Sequence, residues 1–261
     1  MNLNLQGKNA LIIAASQGLG KAIAQQLVKE GVNVIISSRN KEKLKKVQEE
    51  LNQFGKGQIN YFAADLKNKE DIRLLVQYTA ATFGKIDILI NNAGGPPGGD
   101  FEQLSDEDWQ NTFELTFLSY VRVIREALPY MKTDGGRIIN IASTSIKQPI
   151  PGLILSNVFR LGIVGLTKTL SIELAPHNIL INTVAPGRIA TDRTNHIDQM
   201  NADKQGISVK TVVNQSKKTI PLGRYGTSEE FAKAVTFLVS EACTYITGSS
   251  ILIDGGMVTS I

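Results

Sequence analysis

A small-residue turn is the first feature of this sequence with a chemical use. The segment AASQGLG at 14–20 follows an apolar run and precedes residues with helical spacing. Small residues let the backbone approach a phosphate, and the N–H groups and positive dipole end of the following helix favour the anion. The turn predicts a dinucleotide pyrophosphate site, although a tight strand-to-helix turn without a ligand could have the same residues.

An arginine stands where the second strand should end, in the segment Ser37-Ser38-Arg39-Asn40. An acidic residue about 20 positions after the glycine turn binds the ribose 2′-hydroxyl of NAD, whereas an arginine suits the 2′-phosphate of NADP. A guanidinium can bind a phosphate through two parallel hydrogen bonds. Arg39 therefore predicts that NADP(H) is preferred over NAD(H); the alternative is an exposed arginine at the start of a helix.

A serine and an arginine lie four residues apart in a segment with helical spacing. Ser156 and Arg160 would share one face of that helix. Arginine is always charged and has five donors, so Arg160 could hold a cofactor ribose or bind a substrate carboxylate. Tyr120, Lys147 and His196 are candidate proton donors, and histidine is the side chain whose ordinary pKa is closest to neutrality. A lone histidine in a polar segment is, however, most often simply solvated.

Seven apolar runs and the segments between them must position these residues. The runs are mostly continuous rather than alternating, which is typical of strands covered on both faces of a parallel sheet. They lie at 9–14, 32–38, 58–64, 86–91, 136–141, 179–184 and 250–254. The segments between them have helical spacing, and Ser105–Asp108 and Thr227–Glu230 fit the capping signature of a helix start. The alternation predicts a single-domain, doubly wound α/β fold with helices on both faces and ligands beyond the carboxyl ends of the strands.

One long segment in this pattern has no strand character. We expect a single domain over 1–261 with a substrate lid at about 188–226, because a long segment of this kind in a compact domain is usually functional. The lid should carry helices of its own, and residues 190–215 should be mobile until cofactor and substrate bind. Arg188 and Arg193 flank its entrance and would suit an anionic substrate, although surface arginines are also common without a role.

Composition excludes several other classes of protein. With 42% hydrophobic residues and a net charge of +4, the chain has an ordinary globular composition and gives no reason to expect nucleic acid as a partner. Cys243 is the single cysteine and His177 and His196 are the two histidines, so neither a disulfide framework nor a Cys/His metal site is expected. We find no apolar run near the roughly 18 residues that span a bilayer and no signal-peptide pattern, so we expect a cytoplasmic protein without a membrane partner.

The motifs together resemble those of the short-chain dehydrogenase/reductase family over essentially the whole length. Asn91-Asn92-Ala93-Gly94 ends the fourth predicted strand, and Pro186-Gly187 follows the sixth. The resemblance is closest to atypical β-ketoacyl carrier-protein reductases. It implies a Rossmann-type fold, a homo-oligomer (tetramer or dimer), and hydride transfer between a nicotinamide and a small carbonyl or secondary-alcohol substrate, with a 3-oxoacyl type as one candidate. The cofactor-binding residues it implies are Ala14, Ser16, Gln17, Gly18, Leu19, Arg39, Asp65, Leu66, Asn92, Ala93, Gly94, Arg160, Pro186, Gly187, Ile189 and Thr191.

The sequence departs from the family at chemically important positions. Ala14 replaces the first glycine of the cofactor motif, and we expect it to keep a negative φ. Thr116, Ser143, Ser156 and Arg160 stand where the family has catalytic Asn, Ser, Tyr and Lys. Without the phenol, the general acid that protonates the alkoxide is missing. Two hypotheses follow: an NADP(H)-dependent oxidoreductase with a modified proton donor, or a cofactor-binding regulatory or oligomeric-partner protein whose catalysis has lapsed.

Overall fold

Seven strands form one parallel sheet in the computed structural model, which describes residues 2–260. The strands are β1 Asn9–Ile12, β2 Asn33–Ser38, β3 Ile59–Ala63, β4 Ile88–Asn91, β5 Gly136–Ile141, β6 Ile179–Pro186 and β7 Ser250–Ile253. Their order is β3-β2-β1-β4-β5-β6-β7, and each neighbouring pair is parallel. This confirms the predicted doubly wound α/β fold.

Helices cover both faces of the sheet. They are α1 Gly18–Lys29, α2 Lys41–Leu51, α3 Lys69–Phe83, α4 Asp106–Phe113, α5 Ser119–Ala127, α6 Ile154–Glu173, α7 Asp192–Gln205, α8 Val209–Lys218 and α9 Ser228–Leu238. The two predicted capping boxes are present: the side chain of Ser105 caps α4 and that of Thr227 caps α9. Each cap gives a partner to a backbone N–H group that the helix leaves free.

The continuous apolar runs are explained by a separate hydrophobic core on each face of the sheet. Successive strand residues point to opposite faces. In β1, Ala10 and Ile12 belong to the core under α1 and α9, and Leu11 belongs to the core under α3 and α5. All three are fully buried. A strand between two such cores has no solvent-facing side, so it is apolar at most positions.

The strand order places a crevice at the centre of the sheet. The chain runs outward from β1 through β2 to β3, then returns and continues from β4 to β7 on the other side of β1. The turns after β1 and β4 therefore leave the sheet toward opposite faces. Ligands of doubly wound sheets bind in such a crevice, at the carboxyl ends of the strands.

Helices α7 and α8 occupy the segment predicted as a lid. Its base is fixed by the buried carboxylate of Asp198, to which Arg188 donates over 2.8 Å and Tyr225 over 2.9 Å. Arg188 is thus committed to a structural pair rather than to an anionic substrate. That residues 190–215 order on ligand binding stays a prediction. Within residues 2–260, we find no helix that combines the length and apolarity needed to cross a bilayer.

Candidate active site

A cleft of about 690 Å³ lies at the carboxyl ends of the strands. All the predicted cofactor-binding residues line it. They are Ala14, Ser16, Gln17, Gly18, Leu19, Arg39, Asp65, Leu66, Asn92, Ala93, Gly94, Arg160, Pro186, Gly187, Ile189 and Thr191. Ser143 and Ser156 line the same cleft, whereas Thr116 does not. The motifs that are far apart in sequence thus meet at one place.

The start of α1 is built to receive an anion. α1 begins at Gly18 after Gln17, whose side chain makes no capping hydrogen bond, so the first N–H groups of the helix have no cap. A Cβ built on Gly20 would lie 2.7 Å from the carbonyl oxygen of Ala14 and 2.8 Å from Asn92 Nδ2, so glycine is needed there for the helix to pack against the turn. Uncapped N–H groups at a helix N-terminus that lines a cleft fit a pyrophosphate.

Ala14 corrects one of our expectations. Its φ is +50°, in the left-handed region, and not negative. Two tertiary hydrogen bonds fix the turn: Asn92 Nδ2 donates to the Ala14 carbonyl over 3.0 Å, and the N–H of Ala15 donates to Ser37 over 2.9 Å. The backbone thus keeps the conformation that a glycine would adopt freely, and alanine occupies it at a cost of about 1–2 kcal/mol.

Replacing Ala14 by glycine should therefore stabilise the fold. Relief of the left-handed strain outweighs the greater freedom that glycine gives the unfolded chain, with a net gain of about 0.5–1 kcal/mol. Urea unfolding of Ala14→Gly measures this change. Ala15→Gly is the matched control, because Ala15 is buried and its φ is not positive, so it should lose stability. An Ala14→Gly variant no more stable than the parent would contradict the strain.

A cationic subsite lies at the end of β2. Arg39 is exposed at the rim of the cleft, and within residues 2–260 it forms no ion pair. The hydroxyl oxygen of Ser38 is buried without a hydrogen-bond partner in the same part of the chain, and Lys43 also lines the cleft. A guanidinium, an ammonium and an orphaned hydroxyl at one place fit a phosphate group.

Three serines meet between β5 and the start of α6. Ser143 Oγ accepts from the N–H of Ser145 over 3.2 Å, which leaves its own proton free to donate. Ser156 is buried in the first turns of α6, and its Oγ lies 3.4 Å from Ser145 Oγ, a long contact for two hydroxyls. Ser145 could not be identified from the sequence, because its proximity to Ser156 arises only when α6 packs beside the turn after β5.

Arg160 is buried among neutral oxygens. It donates through Nη1 to Ile141 O over 2.7 Å and to the Tyr120 hydroxyl over 3.1 Å, and through Nη2 to Ala93 O over 3.3 Å. No carboxylate pairs with it within the described residues. The guanidinium joins α6 to α5, to the end of β5 and to the Asn-Asn-Ala-Gly turn, and it keeps an unneutralised charge at the wall of the cleft.

Several of the predicted site residues lie outside the cleft lining. Tyr120 is fully buried and outside the cleft lining; burial raises the pKa of its hydroxyl, and Arg160 opposes that rise. Thr116 is buried in a π-helical turn at 114–118, where its hydroxyl donates to the Thr112 carbonyl over 2.8 Å. Lys147 is exposed and is not part of the lining. The Thr116 hydroxyl therefore bonds within its own helix, and neither Thr116 nor Tyr120 lines the cleft.

Residues of α7 line the remaining side of the cleft. Arg193 reaches across to the loop after β4 and donates to the Pro96 carbonyl over 2.6 Å. His196 and Ile197 line the same wall. Partial burial lowers the pKa of Arg193, and the charge of Arg160 lowers it further. This end of the cleft is thus positively charged.

Comparisons with known proteins agree on the kind of protein. The family model described as Enoyl-(Acyl carrier protein) reductase matches residues 13–258. The chain is 34% identical to the NADPH-dependent reductase BacG of Bacillus subtilis over 97% of this chain and 99% of that protein. It is 36% identical to the 3-oxoacyl-[acyl-carrier-protein] reductase FabG of Aquifex aeolicus, over 98% and 100%. The crystal structure of L-sorbose reductase from Gluconobacter frateurii, complexed with NADPH and L-sorbose, superimposes with a TM-score of 0.95 at 31% identity over 100% of both chains.

Proposed function

The chain belongs to the short-chain dehydrogenase/reductase family of oxidoreductases, and we propose that it is an NADP(H)-dependent reductase that converts a carbonyl compound to a secondary alcohol. One observation carries the proposal: a single cleft contains both the cationic subsite at Arg39 and the group formed by Ser143, Ser156 and Arg160. Ser143 and Ser156 are called the serine pair below. Two relatives, one named as an NADPH-dependent reductase and the other as a 3-oxoacyl reductase, support the same proposal. The 3-oxoacyl class is therefore one substrate type that we would test.

The cofactor would lie along the carboxyl ends of the central strands. Arg39, with the unpartnered Ser38 hydroxyl, would hold the 2′-phosphate, and the N–H groups at the start of α1 would hold the pyrophosphate. Asp65 and Leu66, which follow β3, would contact the adenine. When bound, NADPH supplies the hydride that reduces the carbonyl carbon.

The serine pair and Arg160 would act on the carbonyl oxygen. Within residues 2–260 the Ser143 hydroxyl accepts one hydrogen bond and its own proton is free to donate, and Ser156 lines the same cleft. Two preorganised donors stabilise the negative charge that develops on this oxygen. The unneutralised guanidinium of Arg160 favours the same charge, because it is held in place by three neutral acceptors rather than by a carboxylate.

We assign delivery of the proton to His196, through water. A serine hydroxyl is too weak an acid for this role, and Tyr120 is outside the cleft. Among the described residues that line the cleft, His196 is the one histidine, a residue type that often serves as a general acid or base. Delivery through water from an exposed histidine is less direct than donation by a positioned phenol, so we expect slow turnover.

A substrate screen with NADPH tests the proposal. NADPH oxidation is followed at high enzyme concentration with ketones, 3-oxoacyl thioesters and sugars, and NADP⁺ reduction with the corresponding alcohols. His196→Asn should lower kcat about tenfold or more, because it removes the proposed proton donor. Tight NADPH binding without turnover on any class would instead support the hypothesis of a cofactor-binding protein with lapsed catalysis.

We also propose that the protein is a homo-oligomer, as the family resemblance implied. Val158, Leu161 and Ile172 are exposed on one side of α6, with 46%, 54% and 73% of their surfaces accessible. An apolar stripe of this kind is typical of a surface covered by another protein chain. The molar mass from light scattering distinguishes a monomer from a dimer or tetramer.

A further inference from the structure

We call the part of the cleft between α6 and α7 its substrate end. Among the described residues, this end contains two arginines and no carboxylate. Arg160 lines it from α6 and Arg193 from α7. The two carboxylates that line the cleft are elsewhere: Asp65 follows β3, and Asp192 faces Gly18 and Lys21 on the α1 side. The positive charge at this end is therefore not balanced by the protein.

Arg193 is held in position by the start of the lid. It lies in the first turn of α7, where Thr191 caps the helix by accepting from the N–H of Thr194. Its guanidinium donates to the Pro96 carbonyl over 2.6 Å and lies against Gly95, where a built Cβ would be 3.0 Å from Arg193 Nε. Within residues 2–260, the hydrogen-bond acceptor of Arg193 is the neutral Pro96 carbonyl, so most of its donors are free for a ligand.

The surroundings make an anion favourable at this point. Arg160 and Arg193 line the same cleft, and the positive charge of Arg160 disfavours the charged form of Arg193. Leu115, Leu153 and Ile197 line the adjacent wall, and apolar walls strengthen electrostatic interactions by excluding water. An anion bound there would relieve the repulsion between the two arginines and would have a bidentate partner.

We propose that the substrate is a ketone that also carries a carboxylate, that Arg193 binds this carboxylate, and that the three apolar residues of the wall pack against its hydrocarbon body. The proposal rests on the reductase function and adds the chemical class of its substrate. Arg160 contributes the second positive charge, while Ser143 and Ser156 remain next to the ketone oxygen. The other oxyanion that could reach Arg193 is the pyrophosphate of the cofactor, and the experiment separates the two.

Binding is measured by calorimetry on the NADPH-loaded protein, with probes that cannot accept a hydride. These probes are 3-hydroxybutanoate, 4-methyl-2-hydroxypentanoate and 3-phenyl-2-hydroxypropanoate, each paired with its methyl ester. At least one acid should bind about tenfold or more tightly than its ester, because the ester cannot form a charge-assisted pair. Arg193→Gln should weaken that acid by about 10- to 100-fold and leave the ester and NADPH nearly unchanged. Arg193→Lys should give an intermediate loss, because it keeps the charge without the planar fork.

Lys210→Gln is the matched control, because Lys210 is an exposed lid cation outside the cleft. Acids that bind no more tightly than their esters, or that do not bind at all, would overturn the proposal. A loss of NADPH affinity in Arg193→Gln would assign the arginine to the cofactor and would overturn it as well. Acid binding through Arg193 without turnover of the oxo acids or of any class in the substrate screen would uphold the anion site and refute the reductase. Turnover of neutral ketones without acid preference would do the reverse.

Discussion

Replacing Arg39 by aspartate is expected to reverse the cofactor preference of the protein. In the parent, the guanidinium at the rim of the cleft would pair with the 2′-phosphate of NADPH beside the unpartnered Ser38 hydroxyl. Aspartate removes this pair, repels the phosphate and can instead accept from the 2′-hydroxyl of NADH. Each charge-assisted hydrogen bond contributes about 1.5–3 kcal/mol, so NADPH affinity should fall about 100-fold or more, while NADH affinity should rise.

Calorimetric titration of both cofactors measures the change without any need for a substrate. Lys46→Asp is the matched control, since it makes the same charge change on the exposed side of α2, outside the cleft. This control should change the two affinities by about the same small factor, because exposed charges are largely screened by salt. An unchanged NADPH-to-NADH ratio in Arg39→Asp would refute the 2′-phosphate subsite.

The sheet could be predicted from the sequence because its signal is local. Every strand begins within one of the predicted, mostly apolar runs, and the cores on both faces of β1 favour apolar residues such as Leu11 and Ile12 at consecutive positions. Helix starts were also predictable where a side chain caps its own helix, as Thr227 does. These features depend on residues within a few positions of one another, which a single sequence displays.

Other features of the site depend on contacts between distant residues. The positive φ of Ala14 is set by Asn92, 78 positions away, so the sequence pattern alone gave the wrong sign. The two lid arginines looked equivalent in sequence, yet Arg188 is paired with Asp198 whereas Arg193 reaches the cleft. Packing decides which of the two arginines is left without an ion pair. Residue type and spacing do not encode that packing.

A variant that restores the family's tyrosine and lysine at 156 and 160 should reduce ketones faster than the parent. Ser156 lines the same cleft as Ser143, so a phenol at this position would enter the cleft, where it would donate its proton directly to the carbonyl oxygen. Lysine at 160 would keep the positive charge that lowers the pKa of such a phenol. A positioned general acid contributes about 10² to 10⁴ in rate, and we expect kcat to rise about 100-fold on neutral ketones.

The single variants show which part of the site limits the parent. Ser156→Tyr alone should give part of the gain, because Arg160 still supplies a positive charge. Arg160→Lys alone should give none, because it adds no acid and removes hydrogen bonds to Ile141 and Ala93. In the double variant, the dependence of kcat on His196 should also disappear, since the phenol replaces the route through water.

Unchanged turnover in a double variant that unfolds at the parent's temperature and binds NADPH as tightly would mean that proton donation is not the limiting function. The cause would then lie in how the serines and Arg160 place the carbonyl, because placement is the other contribution that the cleft makes to the reaction.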